Sequence, residues 1–102
     1  MKCLFLNKDL AQLYSTGKNK KLKLEREIVE KFCRVVRFIE AAKDIHDFMA
    51  WTALKFEKLQ GSSNRYSFRL NQKYRLEVEI EWENVEKTVG IVGIDEISNH
   101  YG

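Results

Sequence analysis

Proline is absent from the chain, cysteine occurs only as Cys3 and Cys33, and no long apolar run separates the charged residues. There is also no internal repeat, low-complexity tract or linker. The 102 residues therefore read as one domain, large enough to bury a core without disulfides or metal. The two cysteines fall in a predicted strand and a predicted helix. They read as buried reduced thiols of a cytosolic protein, with a bridge as the alternative. After Met1 and Lys2 only Cys3 to Leu6 is apolar before Asn7, Lys8 and Asp9, which supports neither a signal peptide nor a membrane span. The expected location is cytoplasmic, with no membrane partner. Catalytic signatures are equally sparse: no phosphate-binding glycine loop, HExxH, CxxC or GxSxG occurs. His46 has no second histidine or cysteine at ligand spacing, so neither metal nor cofactor is expected. What remains is acid-base and electrostatic chemistry from arginine, lysine, histidine and tyrosine.

Charge is plentiful and unevenly placed. The net charge of +3 hides a basic segment holding Lys55, Lys58, Arg65, Arg69, Lys73 and Arg75 against Glu57 alone. Beyond residue 75 the balance reverses, with Glu77, Glu79, Glu81, Glu83, Glu86, Asp95 and Glu96 against Lys87. Such asymmetry suggests a basic patch for a polyanion beside an acidic surface; the alternative is an ordinary solvated sheet face.

The same stretch carries the clearest strand pattern. Tyr66, Phe68 and Leu70 alternate with Ser67, Arg69 and Asn71, and Leu76, Val78, Ile80 and Trp82 alternate with Arg75, Glu77, Glu79 and Glu81. Val85 to Ile94 reads as a third strand, apolar on both faces toward its end. A three-residue loop over Asn71 to Lys73 would set Arg69 opposite Arg75, two like charges that packing does not require. A two-residue turn at Glu83 and Asn84 would set Trp82 opposite Val85 and Arg75 opposite Val92. The tail Asp95 to Gly102, with His100 and Tyr101, would then emerge beside the arginines. An arginine pair, an imidazole and a phenol at one sheet end suit a phosphate.

Upstream, Lys2 to Leu6 is a candidate strand. Asn7 can cap a helix over Lys8 to Ser15 that Gly17 ends. Lys18 to Lys23 is a basic connector, either a solvated loop or a contact for a nucleic-acid backbone or acidic partner. Glu25 to Ala42 is the strongest helix, with Ile28, Phe32, Val35, Val36 and Ile39 on one stripe and Lys31, Arg34 and Arg37 outside. Ile45 to Leu54 is ambiguous and can form a helical turn closing the core. Lys55 to Leu59 begins the sheet segment, and Gly61 to Asn64 has turn chemistry.

The hexapeptide FEKLQG (Phe56 to Gly61), the strand RYSFRLNQKYRLEVEI (Arg65 to Ile80) and the ending GIDEISNHYG (Gly93 to Gly102) resemble the RelE superfamily of bacterial toxins, most closely its HigB branch. The resemblance implies an α+β fold with two N-terminal helices on a small twisted, mostly antiparallel sheet. It implies metal-independent cleavage of mRNA on translating ribosomes, and neutralisation by a HigA-like helix-turn-helix antitoxin that carries the complex to operator DNA. Position by position, Arg75 falls on the arginine that holds the scissile phosphate, and Arg69 on a basic position near the attacking hydroxyl. Tyr101 falls on a tyrosine that stacks on or orients a base, and His100 belongs to a histidine-containing ending. The chain departs from the pattern at Glu57, where some members have histidine, at Gln60, where lysine is frequent, and at Asp95, where the best-known members have arginine.

The implied reaction is attack by a ribose 2′-hydroxyl, giving a 2′,3′-cyclic phosphate and a 5′-hydroxyl. Arg75 and Arg69 would stabilise the phosphorane, His100 would shuttle protons, and Tyr101 would stack on a base or act as a weak acid. Lys55, Lys58, Arg65 and Lys73 would follow the RNA backbone. Two other readings share the features: a ParE-like toxin that inhibits DNA gyrase without catalysis, and a plain RNA-binding or interaction module.

Overall fold

The hydrophobic pattern is realised in chain order. A computed structural model describes residues 1–99. It runs through β1 (Cys3–Phe5), α1 (Lys8–Thr16), α2 (Arg26–Ala41), α3 (Ile45–Ala50), a 3-10 turn (Thr52–Leu54), β2 (Glu57–Lys58), β3 (Arg65–Arg69), β4 (Tyr74–Trp82) and β5 (Gly90–Asn99). The Asn7 side-chain oxygen accepts from the amides of Asp9 (2.9 Å) and Leu10 (3.2 Å), starting α1. Gly17, at φ 77°, ends it by donating to the Leu13 carbonyl at 2.8 Å. The ambiguous stretch after α2 becomes a helix because Asp44 accepts from the His46 amide at 2.9 Å and Phe48 is buried beneath it. No described helix is long and apolar enough to cross a membrane.

The sheet has five strands in the order β1-β5-β4-β3-β2. Among the described residues only β1 and β5 run parallel; the other pairs are antiparallel. One face is covered. Leu10 and Leu13 of α1, the α2 stripe from Ile28 to Ile39, Phe48 and Leu54 form a single core with Phe68, Leu70, Leu76, Val78, Ile80, Val92 and Ile94. Phe48 anchors it, with ring centroids 5.1 Å from Phe56 and 5.0 Å from Phe68. The expected α+β arrangement is therefore present, with α3 joining the two expected helices. Because all helices lie on one side, the alternate residues of each strand form an open face, and that face is polar.

The β3–β4 hairpin has the expected register, Arg69 opposite Arg75 and Phe68 opposite Leu76. The β4–β5 connection differs from expectation. Glu83 and Asn84 do not form a two-residue turn; the Glu83 amide donates to the Val89 carbonyl at 2.8 Å across a longer loop. Asn84 organises that loop, its side-chain oxygen accepting from the amides of Thr88 (3.0 Å) and Val89 (3.2 Å) and its amide donating to Thr88 Oγ1 (2.6 Å). Val85, expected in a strand, is 93% exposed. Consequently Trp82 opposes Gly90 rather than Val85, and Arg75 opposes Ser98 rather than Val92, which faces Ile80. The strand expected over Val85 to Ile94 begins at Gly90 and takes in Asp95 to Asn99, expected to be a tail.

Gly90 is required where it stands, because a Cβ there would lie 2.5 Å from the Glu81 carbonyl oxygen and 2.9 Å from Ile80 Cγ2. Backbone cannot yield as a side chain can. Gly90→Ala is expected to cost ~1–3 kcal/mol in urea unfolding through overpacking at the β4–β5 ladder. Gly93→Ala should cost less, since the atoms its Cβ would approach most closely, from 2.6 Å, belong to the half-exposed Leu6 side chain rather than to backbone. Equal losses in the two variants would remove this explanation.

Candidate active site

Alternation and register decide which side chains share the open face. Glu57 of β2 pairs with Ser67 of β3, Ser67 with Glu77 of β4, and Glu77 with Glu96 of β5. The adjoining row is Arg69, Arg75 and Ser98. From that second row the Arg75 side chain reaches diagonally across β3. Its Nη1 donates to Ser67 Oγ at 3.1 Å and to Glu57 Oε1 at 2.9 Å. Ser67 is fully buried and the Arg75 side chain only 16% exposed, whereas Glu57 is 56% exposed. A small residue at 67 leaves the guanidinium its path, and the hydroxyl beneath satisfies one of its donors. Among the described residues only Nη1 of this guanidinium is engaged.

Arg69 turns the other way. Its Nε donates to the Asn71 carbonyl at 3.2 Å, so the two opposed guanidiniums diverge rather than crowd one another. Asn71 also closes the hairpin, its side-chain oxygen accepting from the amides of Lys73 (2.8 Å) and Tyr74 (2.7 Å). Lys73 in that loop holds its ammonium 5.5 Å from the Tyr74 ring centroid. Arg69, Lys73 and Arg75 thus lie at one end of the β3–β4 hairpin.

Arg65 occupies a different setting. Its Nη1 binds Asp95 Oδ2 at 2.9 Å and Glu79 Oε1 at 3.1 Å, and its Nη2 binds Glu77 Oε1 at 3.1 Å, with Glu96 at 4.0 Å. A β-bulge makes this possible. The register shifts between Glu77 and Val78, so Asp95 is the extra residue and both Asp95 and Glu96 reach Arg65. Burial opposes the charge on Arg65, but the hydrogen bonds it donates to Asp95 and Glu77 and their negative charges outweigh it and hold its pKa above the ordinary value. Glu77 and Glu96 lie directly opposite each other, and Arg65 is within ion-pairing distance of both.

The remaining basic residues are more dispersed. Lys58 pairs with Tyr66 and is exposed on the alternate phase from Glu57. Lys55 is exposed at φ 45° where the 3-10 turn ends. His100 and Tyr101 lie outside the described residues. Among the described residues no group of histidine, cysteine, aspartate and glutamate is arranged to hold a metal ion. Sequence reasoning missed Glu57 and Ser67 as members of the site. The available signal was Ser67, the one small side chain on the polar phase of β3.

Residues 4–90 match the family model of HigB-like toxins, described as RelE-like toxins of the type II toxin-antitoxin system HigB. The chain belongs to this family. No curated protein matches it. The matched span contains Glu57, Ser67, Arg69 and Arg75 and stops at the first residue of β5. Membership of a type II system makes a protein antitoxin the partner of this HigB-like toxin.

The Arg65 network supports the open face on which the Arg75 row stands. Replacing Arg65, 23% exposed, by Met would leave Glu77, Glu79 and Asp95 without their shared cation. The expected loss is ~2–3 kcal/mol in denaturant unfolding, below the range for fully buried pairs because water reaches the cluster. Arg26→Met removes an ion pair with Glu30 on a side chain 92% exposed and should cost less than ~0.5 kcal/mol. Indistinguishable stabilities for the two variants would count against a structural role for Arg65.

Proposed function

We propose that the chain is a metal-independent endoribonuclease that cleaves mRNA, with the scissile phosphate held at the Arg69–Arg75 end of the open sheet face. The observation that carries this reading is the posture of Arg75. It is largely sheltered, oriented by Ser67 and Glu57, and directly opposite a second arginine. A purely structural ion pair would not need the second guanidinium, which makes no described ion pair of its own. Family membership agrees with this reading.

In the proposed reaction the phosphate enters with its oxygens toward Arg75, and Arg69 turns from the Asn71 carbonyl to join it, both donating to the non-bridging oxygens as negative charge grows on the phosphorane. The ribose 2′-oxygen attacks phosphorus, forming one P–O bond, and the bond to the 5′-oxygen breaks. The products are a 2′,3′-cyclic phosphate and a 5′-hydroxyl. Glu57 is the carboxylate nearest the phosphate-holding group, and it serves as acceptor of the 2′-hydroxyl proton once the phosphate takes over its hydrogen bond from Arg75. His100 is assigned the protonation of the leaving 5′-oxygen, and Tyr101 stacking on an adjacent base. Lys55, Lys58 and Lys73 follow the backbone, while Arg65 keeps its carboxylates and acts through them. The Glu77, Glu79, Asp95 and Glu96 surface repels polyanion, which confines RNA to the basic end.

The cellular setting belongs to the same proposal. The message is cut on translating ribosomes, and a HigA-like helix-turn-helix antitoxin neutralises the toxin and brings the complex to operator DNA.

The test is induced expression in a bacterial host with growth measured and transcript 5′ ends mapped. The wild-type chain is expected to arrest growth and generate new 5′-hydroxyl ends. Arg75→Ala should lower cleavage by ~10²–10³-fold. Glu57→Gln should lower it by ~10²-fold or more. Undiminished cleavage by Arg75→Ala would overturn the site. Arrest with DNA damage and intact transcripts would replace the reading with gyrase inhibition.

A further inference from the structure

The basic connector and the outer side of α2, unused by the open-face chemistry, meet in a groove. Leu24, Val29 and Cys33, all half-buried, line its floor, and Lys18, Arg34 and Arg37 stand at its rim beside the Arg26–Glu30 pair, all exposed. The α2 members fall at three- and four-residue spacing, one stripe around from Ile28, Phe32, Val36 and Ile39, which enter the core. The groove therefore opens on the helical side, separated from Arg75 by the helix layer and the sheet.

Two properties define what would fill it. First, the rim cations are unspent. Arg26 is paired with Glu30 at 3.0 Å, but no described carboxylate lies within ion-pairing distance of Lys18, Arg34 or Arg37. Lys20, Lys21 and Lys23 extend the same positive charge along the connector. Second, the floor is aliphatic and thiol, with no aromatic ring among its lining residues. Single-stranded nucleic acid is gripped by stacking on rings together with phosphate contacts, and this floor offers no such platform. Leucine-like side chains on one helix face, flanked by carboxylates, match both the floor and the rim.

We propose that this groove docks an acidic amphipathic helix of a protein partner, apolar face on Leu24, Val29 and Cys33, carboxylates toward Lys18, Arg34 and Arg37. Docking here leaves the open sheet face uncovered, so the partner and RNA bind independently. The proposal does not depend on the ribonuclease reading.

Cys33 reports occupancy from within the groove. In the full chain carrying Cys3→Ser, its alkylation rate by iodoacetamide is measured with a helical peptide of leucines on one face and glutamates on the other. The controls are the same peptide with lysines for glutamates, polyglutamate, and single-stranded RNA. The leucine–glutamate peptide is expected to slow alkylation, the lysine peptide and RNA to leave it unchanged, and polyglutamate to bind more weakly for want of an apolar face. Arg34→Glu with Arg37→Glu, both on exposed positions, should weaken the leucine–glutamate peptide by about ten-fold or more and give the lysine peptide protection it lacked. Protection by RNA equal to that by the peptide would replace the proposal with a nucleic-acid contact. Failure of the leucine–glutamate peptide to protect Cys33, or binding indifferent to charge reversal, would overturn it. None of these readings measures cleavage, so they stand or fall apart from the site at Arg75.

Discussion

Closure of the β3–β4 hairpin by Asn71 is the constraint on which the polar site rests. Its side-chain oxygen takes the amides of Lys73 and Tyr74, and the Leu70 amide donates to the Tyr74 carbonyl at 2.9 Å. These bonds fix the loop at three residues, and loop length fixes register. Side chains alternate with period two, so a slip of one residue would turn Arg75 toward the buried core and expose Leu76, Val78 and Ile80. Burial of those three apolar side chains, worth about 1.5–3 kcal/mol each, therefore also holds the guanidinium on the solvent side. Core and site are two readings of one alternation.

The open face is zoned by charge, and the zones are coupled through the bulge. Without the extra residue at Asp95, β5 would keep a single phase, and Asp95 and Glu96 would point to opposite faces. With it, both reach Arg65, while Ile97 still packs on the core and Ser98 still lies opposite Arg75. One irregularity thus gathers an acidic cluster at mid-sheet and restores the phase before the arginine row. Asn7 reinforces the same point from α1, its side-chain amide donating to the Asp95 carbonyl at 2.9 Å. That bond supplies a partner for a carbonyl at the irregular ladder position, where regular pairing is interrupted.

What could be read from the residues alone was what depends on near neighbours. The Asn71 loop, the Asn7 cap, the Gly17 stop and the α2 stripe are settled within a few positions, and each stands where the pattern puts it. The β4–β5 turn was also local, yet it was misread because Asn84 has two uses. It can take positive φ in a tight turn, or it can cap a wider loop with its side chain, and the polar Thr88 four residues on selects the second. The membership of Glu57 in the site and the hub role of Arg65 were out of reach for another reason. Each requires partners between 12 and 30 residues distant, brought together by pairings and a bulge that no short window contains. Arg65 in the sequence looks like any other member of a basic segment; only the strand order shows that its neighbours are four carboxylates.

The contrast between Arg65 and Arg75 shows how one residue type divides between support and chemistry on a single sheet face. Both side chains are largely withdrawn from water, at 23% and 16% exposure. Arg65 is surrounded by more negative charge than it carries, so an incoming phosphate would have to displace carboxylates already held at 2.9 to 3.1 Å. Arg75 meets one neutral hydroxyl and one carboxylate that is more than half exposed, a partner that water can take over at little cost. A phosphate gains from the second environment what it would lose in the first. The positive charge free to act on a polyanion is set less by where arginines occur than by how many carboxylates the fold has already brought to each.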